Sequence, residues 1–165
     1  MDQNYYFPLF IDLHRKNILV IGGGKIATGR IETLLKFTEK VTVVSPEWTD
    51  TIQEYERAGR IILEKQFYRT ELLKNCDLVL AATNQPEVNE KIVKECRQRG
   101  IPVNDASEQK RCDFFFPAVF EADGLIFGVT SGGRDHRKVR ETCSKIREWL
   151  KHPEKPQEED RKGKK

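Results

Sequence analysis

Gly22-Gly23-Gly24-Lys25-Ile26-Ala27 fits the spacing G-x-G-x-x-A and follows directly on the apolar run Asn17 to Ile21. That order of residue types suits a dinucleotide. Gly22 permits a tight turn out of a strand, Gly24 lets backbone amides approach a pyrophosphate, and small Ala27 lets the next helix lie close to the sheet. The helix N-terminus, opening at Lys25 and Ile26, then faces the phosphates with its unpaired amides. A tight turn without a ligand is the alternative that the motif leaves open. In the usual pattern an acidic residue ending the second strand takes the adenine ribose, but here Val43-Val44 runs into Ser45-Pro46-Glu47. The ribose therefore falls to Ser45 or Glu47 in that turn. No arginine stands beside them to hold a 2′-phosphate, which favours NAD over NADP.

Two further apolar segments end in polar residues, at Ala81-Ala82-Thr83-Asn84 and Val103-Asn104-Asp105. Ligands of open α/β sheets bind outside the carboxyl ends of strands, so Thr83 and Asn104 are expected where a nicotinamide and its reaction partner meet. Asp105 is the acid/base candidate, with capping of the following turn as its alternative role. Cys76, Cys96, Cys112 and Cys143 form no CxxC pair and the three histidines no HxxxH pattern, so no metal site is expected.

The elements that position these residues follow from periodicity. Asn17 to Ile21 reads as a buried strand, Lys25 to Phe37 as a helix and Val41 to Val44 as a second strand. Further along, the expected elements are a helix at 49–58, a strand at 61–63, a short helix near 70–74 and a strand at 78–81. Pro86 opens a helix reaching Arg99, and Pro102-Val103 is a short strand, with Asp105 following it. Repeated strand-helix units with apolar strands imply a parallel sheet covered on both faces, a doubly wound Rossmann-type α/β fold. Phe7 to Leu13 is a candidate lead-in strand. Phe114 to Phe120 and Leu125 to Thr130 read as strands flanking Asp123-Gly124, a hairpin turn pair, and Arg134 to Leu150 as a final helix.

The chain has 165 residues with 33% charged and 38% apolar residues, enough for one domain with a short appendage. The expected division is 1–112 for the nucleotide, 113–150 for dimerisation and substrate, and 151–165 as a disordered charged tail. The net charge is +3, of which the tail contributes +2, so nucleic acid is not an expected partner. No apolar run approaches the ~20 residues of a membrane span, and the N-terminus lacks the pattern of a signal peptide. A cytoplasmic protein without a membrane partner is expected.

Several motifs in their order carry a family resemblance: Phe7-Pro8-Leu9-Phe10, Val20-Ile21-Gly22-Gly23-Gly24, Ala81-Ala82-Thr83-Asn84 with Val88-Asn89, Val103-Asn104-Asp105, Cys112-Asp113-Phe114 with Pro117-Ala118, and Ser131-Gly132-Gly133. Through them the chain resembles the precorrin-2 dehydrogenase/sirohydrochlorin ferrochelatase family of sirohaem biosynthesis. The resemblance implies NAD-dependent dehydrogenation of precorrin-2, a ring precursor with eight carboxylates, to sirohydrochlorin, carried out by a homodimer. It implies a central active-site aspartate at Asp105 and the serine of a Ser-Gly-Gly motif at Ser131. After Gly133 the sequence departs from the family pattern, and slow or absent iron insertion is expected. A polycarboxylate needs cationic or amide donors. Arg111, Asn104, Ser131 and Gly132 are the candidate substrate contacts, although Ser131-Gly132-Gly133 could equally cap a helix, and the charges after Gly133 could be a solvated face. Two other functions remain open: a non-catalytic nucleotide- or tetrapyrrole-binding module, and a ferrochelatase without redox activity.

Overall fold

Branched apolar side chains build five short strands, β1 (Ile18–Ile21), β2 (Val41–Val44), β3 (Ile62–Glu64), β4 (Leu78–Ala81) and β5 (Val103–Asp105), in a computed structural model that describes residues 7–151. All pair in parallel, in the order β3-β2-β1-β4-β5. Between them run α1 (Lys25–Leu34), α2 (Asp50–Arg57) and α3 (Pro86–Gln98). Along β1, Ile18 and Val20 pack with Ala27, Ile31 and Leu34 of α1 and Ile52 of α2. Leu19 and Ile21 face Ile92, Val93 and Cys96 of α3. No β1 side chain is more than 2% exposed, the burial on both faces that a continuous apolar strand implies.

The strand register aligns the ends of all five strands. Glu64 pairs with Val44, Val44 with Ile21, Ile21 with Ala81, and Ala81 with Asp105. One row therefore closes the carboxyl edge, and the residues just beyond it come from five different loops. The chain leaves β1 toward β2 and β3 on one side and returns to β4 and β5 on the other. The gap between β1 and β4 is the switch point where open α/β sheets bind ligands.

Several elements differ from the sequence reading. Phe7 to Leu13 forms no strand: Phe7, Leu9, Phe10 and Ile11 all stay exposed and only Leu13 packs on the core, so no apolar face is buried that would hold the segment on the edge of the sheet. Helix α1 ends at Leu34 and not at Phe37, and the segment near residue 70 is a 3₁₀ turn, Thr70–Leu73. Asp105 is the last residue of β5 and does not follow it. The aromatic run at 114–116 is not a strand: Phe114 and Phe116 pack against the core, and the Phe114 carbonyl accepts from the Asn104 amide at 2.8 Å.

The first compact unit reaches Phe116. Residues 113–116 stay with it because the Asp113 backbone and carboxylate both bond to Val103 on the outer edge of β5. The second unit starts at Pro117 and holds a hairpin, β6 (Ala118–Ala122) and β7 (Leu125–Val129), with α4 (His136–Lys151). Asp123 and Gly124 both adopt positive φ, 52° and 70°, as a tight two-residue hairpin turn requires. Phe120 and Phe127 are paired directly across the hairpin with ring centroids 4.8 Å apart, and Arg147 of α4 lies 4.3 Å over Phe120. Helix α4 includes Lys151; the remainder of the expected disordered tail, 152–165, lies outside the described residues.

Candidate functional site at the carboxyl edge of the sheet

The glycine turn leaves β1 under two steric constraints. Gly22 has φ +118°, and a Cβ there would run into the Ala82 carbonyl at the end of β4; a Cβ on Gly23 would meet Glu47 and Trp48. The Gly23 carbonyl accepts from Thr49 N–H at 3.0 Å, and the hydroxyls of Thr28 and Thr49 lie 2.8 Å apart, tying α1 to the start of α2. Gly24 behaves differently. It caps α1 with ordinary extended φ, and nothing lies within 4 Å of where its Cβ would be. Close approach of protein backbone thus accounts for Gly22 and Gly23, while Gly24 opens on free space. No side chain caps α1, so the opening amides after Gly24 point outward beside exposed Lys25 and Ile26. Ala27 is fully buried against the sheet.

At the end of β2, Ser45 is 5% exposed and its hydroxyl donates to the Glu47 carbonyl at 2.6 Å. That bond folds Ser45 inward, leaving Pro46 and the Glu47 carboxylate as the exposed groups of the turn. Lys65, just after β3, reaches over the Trp48 ring at 5.8 Å, a cation that linear spacing did not bring to this corner.

At the end of β4, Thr83 bonds by its amide, its hydroxyl and its carbonyl to Asn89 of α3. Asp105 ends β5 with a side chain that has no exposed surface. Its Oδ1 accepts from the Ser107 N–H at 2.8 Å and the Ser107 hydroxyl at 2.6 Å, so it does close the following turn. Its Oδ2 lies 3.0 Å from Arg111 Nε, off the hydrogen-bond axis, and Arg111 reaches Glu90 with Nη1 at 2.8 Å. Arg30 of α1 and Cys112 also act on this carboxylate electrostatically. Burial holds the Arg30 guanidinium below its ordinary pKa, and it stacks 5.6 Å from the Phe116 ring. Burial pushes the Cys112 thiol up, and the neutral thiol donates to the Asp105 carbonyl at 3.2 Å.

The sheet edge thus brings together Gly22 to Ile26, Ser45 to Glu47, Thr83, Asp105 and Arg111. Asn104 does not join them: it is 2% exposed, and its amide holds the 112–114 loop through Phe114 and Cys112. Ser131 and Gly132 lie in the second unit, where the Ser131 hydroxyl accepts from Asp135 N–H at 2.8 Å and Gly132 N–H donates to Thr130. Asn89, Ser107 and Arg30 were given no role from sequence. Asn89 left a trace there, a polar residue three, four and seven positions before the apolar Ile92, Val93 and Cys96 of one helix face. Among the described residues no three His, Cys, Asp or Glu side chains cluster as a metal site would. No helix of those residues is long and apolar enough to cross a membrane.

A family model described as "Putative NAD(P)-binding" matches residues 9–118. The chain belongs to this NAD(P)-binding family. It is similar to the "Probable multifunctional siroheme biosynthesis protein HemA" of Ruminiclostridium josui, 40% identical over 142 residues, which make up 86% of this chain and 28% of that protein. "Siroheme synthase 1" of Pectobacterium atrosepticum is 33% identical over 129 residues, 78% of this chain and 27% of that one. The chain spans little more than a quarter of the length of these curated relatives. A solved structure titled "SirC, precorrin-2 dehydrogenase" matches with a TM-score of 0.73 at 27% identity, over 86% of this chain and 69% of that one. These relatives agree with the family resemblance read from the motifs.

An NAD(P)-binding chain must leave room for a pyrophosphate at its glycine turn. The open space at Gly24, next to uncapped helix amides, fits that requirement, and the buried Ala27 sets α1 close to the sheet.

Proposed function

We propose that this chain carries out NAD-dependent dehydrogenation of precorrin-2 to sirohydrochlorin in sirohaem biosynthesis. The observation that carries the reading is the shared row of strand ends, which sets an open glycine turn and a buried aspartate with two nearby arginines on one sheet edge. Similarity to the SirC structure and to sirohaem synthases supports the choice of substrate.

The opening amides of α1, with Lys25 and Ile26, hold the pyrophosphate. Glu47 takes the adenine ribose, a carboxylate that favours ribose hydroxyls over a 2′-phosphate and hence NAD over NADP. Thr83 borders the nicotinamide. Bound NAD supplies the hydride acceptor. Asp105 assists loss of the accompanying proton, and Arg111 turns from Asp105 toward a ring carboxylate. Among its described residues the second unit buries two apolar residues, Phe120 and Cys143, and exposes Leu125, Ile126 and Trp149, which supports a homodimer in which this surface is covered. Four free cysteines suit a reducing cytoplasm.

The test is turnover of precorrin-2 by the purified chain with NAD and with NADP, followed by sirohydrochlorin absorbance. Product with NAD is expected. Nucleotide binding without product would overturn catalysis in favour of a binding module.

A further inference from the structure

Asn89 is fully buried on α3, and its amide is saturated. Oδ1 accepts from the Thr83 N–H at 3.1 Å and the Thr83 hydroxyl at 2.7 Å, while Nδ2 donates to the Thr83 carbonyl and the Ser107 hydroxyl, each at 3.1 Å. The orientation of that amide is fixed. A main-chain N–H can only donate, so the atom facing Thr83 N must be the oxygen, and the nitrogen is left to face Ser107. A serine hydroxyl carries one proton. Because the Ser107 oxygen receives Nδ2–H, its own proton goes to Asp105 Oδ1 at 2.6 Å, joined there by the Ser107 N–H at 2.8 Å. One unbroken line of donors, Thr83 to Asn89, Asn89 to Ser107 and Ser107 to Asp105, therefore runs toward the carboxylate, while the second Nδ2 proton returns to the Thr83 carbonyl.

We infer that Asn89 and Ser107 are positioning residues that hold Asp105 Oδ1 as a permanent acceptor and leave Oδ2 as the oxygen that works on substrate. This rests on the role proposed for Asp105 above. Oδ2 makes no aligned hydrogen bond and meets Arg111, the group that a substrate carboxylate would draw away. The charged or titratable groups acting on the carboxylate are Arg111 from the turn after β5, Arg30 from α1 and Cys112. The series also ties the loop after β4, beside the cofactor, to the acid at the end of β5.

The experiment compares Ser107→Ala, Ser107→Thr, Asn89→Asp and Asp105→Asn by kcat and KM with precorrin-2, by NAD titration and by melting temperature. Ser107 sits on an exposed turn, so its variants keep the fold. Ser107→Ala is expected to lower kcat about tenfold with KM and NAD affinity unchanged, and Ser107→Thr to restore it. Asn89→Asp keeps an acceptor toward Thr83 but offers the Ser107 hydroxyl a competing carboxylate. It should lose at least as much, and adding Ser107→Ala to it should cost nothing further. A wild-type kcat in Ser107→Ala, or a loss that Ser107→Thr does not restore, beside an inactive Asp105→Asn, overturns this inference alone. Full turnover by Asp105→Asn overturns the role of Asp105 and this inference with it.

Discussion

Asp105 and Asp113 lie eight positions apart, and their partners separate a carboxylate at the site from one that completes the sheet. Asp105 meets Ser107 with one oxygen and Arg111 with the other, at the ligand-bearing edge. Asp105→Ala should cut precorrin-2 turnover ~10²–10⁴-fold while sparing NAD affinity, because the glycine turn is built from β1 and α1. It should also lower stability by about 1–3 kcal/mol, since the Ser107 donors and the Arg111 cation lose their partner. Turnover per folded molecule and the thermal midpoint of one preparation check both. Near-normal turnover would leave the turn closure as its only role. Asp113 instead accepts from Val103 N–H at 3.1 Å and pairs with Arg97 at 3.1 Å, standing in for a neighbouring strand on the outer edge of β5. Asp113→Ala is expected to cost about 1–3 kcal/mol in a urea melt with turnover per folded molecule unchanged, because the N–H of buried Val103 loses its acceptor while the salt bridge, partly exposed, adds little.

Among the elements, the β1–α1 turn makes the sharpest contrast. Gly24→Val adds carbon into space that no protein atom occupies, at an ordinary φ, so the protein should fold and lose NAD binding. Calorimetric titration of the folded variant is the check, and retained affinity would remove the turn from the proposed cofactor site. Gly22→Val should fail one step earlier. Its φ of +118° and the Ala82 carbonyl leave no place for a side chain, so a loss of several kcal/mol and a lowered melting temperature are expected. The strand-turn-helix order was legible because periodicity and glycine spacing are local. Which of the three glycines meets protein and which meets open space was not, because that depends on Ala82 and Trp48 arriving from other elements.

For the whole molecule, the second unit poses the main energetic question. Among its described residues Phe120 and Cys143 are the buried apolar ones, whereas Leu125, Ile126 and Trp149 are 54%, 48% and 63% exposed. Covering that surface in a symmetric pair would remove it from water at roughly 25 cal/mol per Å². Sedimentation at micromolar concentration should show a dimer, and Ile126→Glu with Trp149→Glu should shift it to monomer without lowering NAD affinity. A monomer for the unaltered chain would reject the proposed dimer. The aromatic run at 114–116, read as part of this surface, instead contributes Phe114 and Phe116 to the core of the first unit.

By itself the sequence determined the succession of strands and helices, the glycine turn and the hairpin turn at Asp123-Gly124, since each is written in side-chain period or in φ preferences over a few residues. Tertiary structure decided the strand order, the common row of strand ends and the partners of every polar group at that edge. Asn89 and Ser107 meet across 18 positions of chain. No local pattern contains that contact, because it exists only once β4 and β5 pair in register and α3 is laid across them.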